Sequence, residues 1–241
     1  MTANEYYGWL SFGEGMALWR ELYERFDAVP FYAGSSGEQA GGWFTRPIDT
    51  IEDFKGLKIR IAGLARLVLE RLGAEAVLLP PSEIAAAMTS GELDAADWIG
   101  PWNDIAAGLC KAARYYYMPG WHEPGPAVEV TVAHRAWEAL DGNLKAIVQT
   151  AAAATAQETL ADFTYHNIAA YPQLASLDVE IRSFSPQIID RLKLETDEVV
   201  SSLAETDDLA RRIHDSHMDF LARARRYSPH GLLGFLELRD T

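Results

Sequence analysis

Apolar and polar positions change period several times along the chain, and each change marks an element. From Phe12 to Phe26, Met16, Leu18, Trp19, Leu22, Tyr23 and Phe26 recur at helical spacing. Val29 to Gly34 predicts a short strand, and a loop of small residues from Gly34 to Gly42 holds one larger polar side chain, Gln39. Pro47 to Phe54 is a turn-rich connector in which Asp49, Thr50 and Asp53 are capping residues. Leu57, Ile59 and Ile61 then alternate with Lys58 and Arg60, the period of a strand. Gly63 to Leu72 returns to helical spacing, with Leu64, Leu67, Val68 and Leu72 on one stripe and Gly73 as its stop. Ala76 to Leu79 predicts a strand. Ser82 is expected to cap a helix through Met88 that Gly91 ends, and Asp94 to Ile99 predicts a third strand. This alternation implies βαβ units and a parallel sheet.

The second half of the chain changes character. Asn103 to Ala113 predicts a helix, Tyr115 to Met118 a strand broken by Pro119-Gly120, and Val128, Val130 and Val132 another strand. Asp141-Gly142-Asn143 opens a long alanine-rich helix to about Tyr171. Val179 to Ile181 is a short strand. Ser185-Pro186 opens a final helical region striped by Leu192, Val199, Leu203, Leu209, Ile213 and Phe220, broken at Glu205, Asp207 and Asp208 and ended by Pro229.

Composition narrows the function classes. A chain of 241 residues with 49% hydrophobic and 11% aromatic content can bury a large core. A net charge of −14 argues against a nucleic-acid surface and against docking on anionic lipid. No apolar run reaches the roughly 20 residues that span a bilayer. Met1 to Glu5 lacks the basic and apolar regions of a signal peptide, so a leader, if the protein is exported, is expected to be absent from this chain. Cys110 is the one cysteine, which excludes an internal disulfide; its apolar surroundings predict an inert thiol.

The candidate chemistry is sparse. Arg60 lies one residue from the end of its predicted strand, where open α/β sheets bind ligands. Guanidinium matches a carboxylate through two parallel hydrogen bonds; the alternative is a surface arginine paired with a neighbouring acid. Glu123 sits among Trp121, His122, Pro124 and Gly125, where a carboxylate needs a partner. A hard cation is one such partner, with Gln39 offering an amide oxygen and Trp98 its backbone carbonyl; an ordinary loop salt bridge is the other. His214 and His217 are expected to be solvated helix residues. No zinc-protease pair, phosphate loop or nucleophile elbow occurs.

Gly41-Gly42-Trp43-Phe44, Gly56-Leu57-Lys58-Ile59-Arg60, Ser90-Gly91-Glu92-Leu93-Asp94-Ala95 through Trp98-Ile99-Gly100-Pro101, and Tyr115 to Gly125 resemble the solute-binding proteins of TRAP (tripartite ATP-independent periplasmic) transporters. The Trp121-His122-Glu123-Pro124-Gly125 run is similar to the branch that takes 2-oxo and 2-hydroxy acids such as pyruvate or lactate. The resemblance implies a two-lobed α/β fold of the periplasmic-binding-protein type II with long C-terminal helices. It implies a binding protein and not an enzyme. Arg60 matches the family's carboxylate-binding arginine. Gln39, Trp98 and Glu123 match the positions that ligate a Na⁺ or Ca²⁺ ion shared with the solute.

Phe44, Trp98 and Trp121 are then expected to wall the apolar part of the cleft, with Asn103 as a further solute contact. Expected partners are a small carboxylate solute, the membrane subunits of a TRAP transporter, and a second copy through the C-terminal helices, in the periplasm; nucleic acid is not one. Lobe I is expected from residues 1–37 with 126–170, lobe II from 38–125 with 171–184, and a helical dimerisation region from 185–241. The family carries a longer leading stretch, so the first lobe is expected to be incomplete, with exposed sheet edges. The rival readings are a metal-dependent lyase or hydrolase acting on a 2-oxo acid through Glu123 and His122, and a truncated remnant that binds nothing.

Overall fold

A computed structural model describes residues 1–241. Helices α1 (Ala3–Phe12) and α2 (Gly15–Glu24) lead into strand β1 (Ala28–Gly34). Then come β2 (Gly42–Phe44), β3 (Lys58–Arg60), α3 (Gly63–Arg71), β4 (Glu75–Val77), α4 (Pro81–Ser90) and β5 (Ala95–Ala96). Two short helices, α5 (Pro101–Ala106) and α6 (Leu109–Ala112), precede β6 (Tyr115–Tyr117) and β7 (Val128–Ala133). The remainder is α7 (His134–Glu138), the long α8 (Gly142–Ala170), β8 (Glu180–Arg182), α9 (Pro186–Ala204), α10 (Asp208–Tyr227) and α11 (Leu232–Arg239).

These strands form two sheets. The larger has six strands in the order β4-β3-β5-β2-β6-β8. Strands β4, β3 and β5 run parallel, as the βαβ pattern requires, while β2 runs antiparallel to both β5 and β6. The smaller sheet is one antiparallel pair, β1 with β7. Both faces of the larger sheet are covered. Alternation sends Phe44, Ala95 and Tyr117 into one core with Leu57, Ile59 and Ile61, and sends Trp43, Ala96 and Tyr116 into the other with Ile84, Met88 and Leu109. Trp43 and Tyr116 are register partners and stack at 4.1 Å. The smaller sheet leans on α8, where Phe31 and Ala33 meet Ala152. Its other support is an aromatic cluster in which Trp9, Leu10 and Tyr32 pack with Leu18, Ala156 and Leu209.

The α/β class and most elements match the pattern-based expectation; five details differ. The chain starts with helix α1, which the apolar spacing missed; Thr2 and Glu5 close a reciprocal cap at its start. The buried face of α3 is Ala65, Val68 and Leu69, a stripe of the same helical spacing, and Leu64 and Leu67 are exposed. Ser82 lies inside α4 and does not cap it; Pro80 precedes the helix and Pro81 is its first residue. The helix expected over 103–113 is two helices parted by Gly108 at φ +79°. Helix α11 follows Pro229, so that proline parts two helices and does not end the helical region.

The C-terminal helices divide between the two sheets. Helix α9 lies on α3 beneath the larger sheet, where Arg71 pairs with Glu195 at 2.5 Å and also with Glu198. Helix α10 lies on α2, tied by Arg25–Asp207 at 2.9 Å and Arg212–Glu21 at 2.7 Å. Asp207 caps α10, accepting from the backbone N–H of Ala210.

Candidate functional site

Strand β3 buries Leu57, Ile59 and Ile61 on one face, so Arg60 projects from the other. That face is not open to water: Arg60 is only 8% exposed. Its Nη1 donates to the backbone oxygen of Asp97 at 2.8 Å, and its guanidinium lies over the Trp98 ring at 5.2 Å. The aligned backbones of β3 and β5 set this up, because Asp97 N also donates to Arg60 O. Burial lowers the guanidinium's pKa, and the facing carboxylates of Asp97 and Glu123 oppose that. An arginine so placed stays charged and has donors left for an anion.

Glu123 reaches the same cleft on the segment after β6. Its φ is +46°, a left-handed conformation that is costly for a glutamate and is held by its surroundings. Two glycines allow those surroundings. A Cβ on Gly120 would lie 2.7 Å from Gln39 O, and one on Gly125 would lie 2.5 Å from Ala3 N. Gly120 N donates to Gln39 O at 2.9 Å, joining the Glu123 segment to the Gln39 loop. Burial pushes the Glu123 carboxyl above its ordinary range; His122 and Arg60 pull it down and Asp97 pushes it further up.

Gln39 stands between these groups and is buried. One end of its amide lies 3.0 Å from Ser36 Oγ, and the other lies 3.1 Å from Glu123 Oε2 and 3.3 Å from Trp98 O. With Nε2 on Ser36, an amide oxygen, a backbone carbonyl and a carboxylate oxygen face one another with no hydrogen between them. Three such acceptors repel unless a cation sits among them. Turned over, the amide donates to both oxygens and holds the place of the ion. Oxygens about 3 Å apart can form the edges of a shell whose ion–oxygen distances are about 2.3–2.6 Å. The donor set therefore fits a hard cation such as Na⁺ or Ca²⁺. It does not resemble a zinc site, and nowhere do three or more His, Cys, Asp or Glu side chains gather to hold a metal.

Further buried polar atoms in this region lack partners: Asp97 Oδ1, both ring nitrogens of His122, and Asn103 Oδ1. His122 Nε2 and Asp97 Oδ1 are 3.5 Å apart, too far for a good hydrogen bond. Such atoms need a solute or water to complete them.

Arg60, Gln39, Trp98 and Glu123, singled out in the sequence, thus meet in one place. Trp121 is half-buried there, its ring 4.6 Å from that of His122. Asn103 lies on α5 with its side-chain oxygen unpaired. Phe44 does not wall the cleft: it is 1% exposed and packs on Tyr117 at 5.0 Å and Phe184 at 6.1 Å. The alternation of β2 turns it into the core. His217 is not solvated either; it lies edge-on to Trp9 at 5.4 Å, and burial lowers its pKa. A surface hollow of about 220 Å³ between Tyr7, Met16, Phe31 and Ala152 belongs to the smaller sheet and touches none of these site residues.

Sequence reasoning missed Asp104. It is fully buried, accepts from Ile99 N and Gly100 N at 3.0 Å each, from Trp43 Nε1 at 2.9 Å and from Tyr116 Oη at 3.0 Å. The signal was available: a tryptophan in a run as apolar as Gly42-Trp43-Phe44 needs an acceptor for its indole N–H.

Known proteins are similar to this chain in sequence and fold. The chain is 35% identical over 220 residues to a monocarboxylate 2-oxoacid-binding periplasmic protein of Nostoc sp., covering 91% of this chain and 60% of that protein. It therefore spans about 60% of that curated relative's length. Among solved structures, a TRAP periplasmic solute-binding protein of Pseudoalteromonas atlantica with bound sodium and pyruvate superposes with a TM-score of 0.94 at 33% identity, over 98% of this chain and 72% of that one. A TRAP solute-binding protein of Bordetella bronchiseptica, a dimer with calcium and picolinate bound at one site, gives 0.95 at 29% identity, over 100% and 71%. The sequence pattern of the bacterial extracellular solute-binding proteins of family 7, DctP, matches residues 2–207, and the chain belongs to that family.

Proposed function

We propose that this chain captures a small 2-oxo or 2-hydroxy monocarboxylate together with a Na⁺ or Ca²⁺ ion, as the solute-binding component of a TRAP transporter in the periplasm. The observation that carries the reading is the meeting of oxygens from Gln39, Trp98 and Glu123 beside the buried guanidinium of Arg60. Arg60 pairs with the solute's carboxylate. Gln39, Trp98 and Glu123 hold the ion, which supplies the positive charge that compensates Glu123 and an anchor for the oxygen on the α-carbon. Trp98 and Trp121 exclude water from the apolar end, and His122, Asp97 and Asn103 offer hydrogen-bonding capacity that the protein leaves unused.

Two further parts of the reading rest on the same ground. The six-stranded and two-stranded halves are the lobes: residues 38–125 with 171–184, and residues 1–37 with 126–170. Residues 185–241 serve packing and dimerisation, supported by the dimer in the Bordetella relative and by apolar side chains left exposed on α11, among them Phe235 and Leu238. The membrane subunits of the transporter are the expected partners. The lyase reading finds no support in the site or in the relatives' names.

Titration calorimetry tests the proposal. Pyruvate should bind the purified chain in Ca²⁺ or Na⁺ and lose affinity when EDTA and potassium replace them. Glu123→Gln should reproduce that loss with the ions present. Unchanged affinity in Glu123→Gln would remove the ion from the account.

A further inference from the structure

Asp104 supplies no atom to the solute or the ion, yet it is the most completely buried carboxylate in the chain. Burying a carboxylate costs several kcal/mol unless its oxygens are satisfied. Here four donors meet it, and none carries a charge. The donors come from three separate stretches of chain. Ile99 and Gly100 continue directly from Trp98. Trp43 lies in β2, immediately after the loop of Gln39. Tyr116 lies in β6, immediately before the segment of Glu123. Each stretch delivers one of the three oxygens that face one another across the cleft. A further bond ties two of the stretches together: Ala40 N donates to Ile99 O at 2.9 Å.

We infer that Asp104 is a positioning residue whose carboxylate fixes the spacing of the oxygens of Gln39, Trp98 and Glu123. The inference rests on the cation- and solute-binding reading given above. An apolar residue could fill the same volume, but it would leave the Trp43 indole N–H, the Tyr116 hydroxyl and two backbone N–H groups unpaired. An amide would reproduce only part of the pattern, since its nitrogen donates where donors already converge. The three stretches would then be free to shift by the few tenths of an ångström that an oxygen cage for a hard cation does not tolerate.

A pH effect follows from the same geometry. Burial pushes the Asp104 carboxyl up to about 6, against the pull of Trp43, Ile99 and Tyr116 and with a push from Asp97. Tyr116 and Asp97 are the titratable groups that bear on it; Trp43, Ile99 and Gly100 do not titrate. Protonation places a hydrogen where only donors face the carboxyl, so the cage loosens as the pH falls through about 6. Burial raises the Glu123 carboxyl as well, and comparison with an Asp104 variant separates the two.

The test uses the purified chain and the cation alone. Tb³⁺ luminescence sensitised by Trp98, with Ca²⁺ as competitor, reads cation affinity; circular dichroism reads folding. Asp104→Asn should bind Ca²⁺ about 10–100-fold more weakly while remaining folded. It should also lose the part of the affinity change between neutral pH and pH 5 that the native chain owes to Asp104. Should Asp104→Asn fail to fold, Tyr116→Phe removes a single donor at nearly constant volume and should give a smaller loss in the same direction. Native Ca²⁺ affinity in a folded Asp104→Asn, or in Tyr116→Phe where that variant decides, overturns the inference. Glu123→Gln keeps the two readings apart: if it retains Ca²⁺ binding, the cation site itself is wrong, and if it alone loses binding, only the role of Asp104 is wrong.

Discussion

The two halves of the molecule are built to different standards. The six-stranded half buries both faces of its sheet and places Trp43, Phe44, Leu57, Tyr116 and Tyr117 at 0–1% exposure. The two-stranded half covers one face with α8 and leaves Val128 and Val130 each 47% exposed. Its cohesion comes from aromatic pairs such as Tyr7 on Tyr32 at 4.9 Å and from α1 and α10. Arg60 and Trp98 belong to the six-stranded half, and Gln39 and Glu123 lie on the segments that leave it. The lesson is that a site which must hold a buried charge and a cage of acceptors is placed where the backbone is most firmly fixed. The more thinly packed half supplies none of the four groups.

This division can be broken by experiment. The largest effect should come from Arg60→Ala, which leaves a bound carboxylate and the nearby acids uncompensated. It should cost about 3–5 kcal/mol of pyruvate binding, measured by calorimetry. If affinity is unchanged, the charge that matters lies in the other half. Next, Trp43→Ala should lower unfolding free energy by about 3–5 kcal/mol, because it opens a cavity in a core that cannot collapse. Val130→Ala, on the half-exposed strand β7, should cost under about 1 kcal/mol in the same denaturant titration. Equal losses would show that the two halves are equally well packed.

The smallest effect concerns the helices that brace the larger half. Arg71 beside Glu195 holds that carboxyl below its usual range. A depressed pKa contributes stability that is present above the unfolded value, about 4.3, and is lost as pH falls through the folded one. Glu195→Gln should therefore lower Tm slightly at neutral pH, and its difference from the native chain should close below about pH 4. Because Arg71 is 44% exposed, the contribution should be under about 1 kcal/mol. A gap that persists into acid would assign the effect to packing.

Sequence patterning reached the larger half more easily than the smaller one. Alternation at Leu57, Ile59 and Ile61 and the stops at Gly73 and Gly91 follow from local rules, and those rules held. Helix α1 was missed because its packing is aromatic and distant: Trp9 bonds to Ser216 and faces His217, contacts that no local spacing encodes. The apolar stripe of α3 was misplaced because Ala65, Val68, Leu69 and Leu72 have helical spacing just as Leu64, Leu67 and Val68 do. At the site, Arg60 and Glu123 stood out as charges in apolar runs, but their meeting was implied only by family resemblance. Phe44 was misassigned because an aromatic in a glycine-rich run suits a cleft wall and a core strand equally. Asp104 went unseen because its two side-chain donors, Trp43 and Tyr116, lie on other strands, and only the backbone donors Ile99 and Gly100 are near it in sequence.

Two of the places where the chain crosses between its halves are residues 35–41, between β1 and β2, and residues 118–127, between β6 and β7. Gln39 rides on the first crossing and Glu123 on the second, and Gly120 binds the two crossings back to back. Whatever joins the oxygens of those two side chains therefore ties together two of the segments that link the halves. A cation held there would cross-link the two segments directly, with no intermediary between the site and the link.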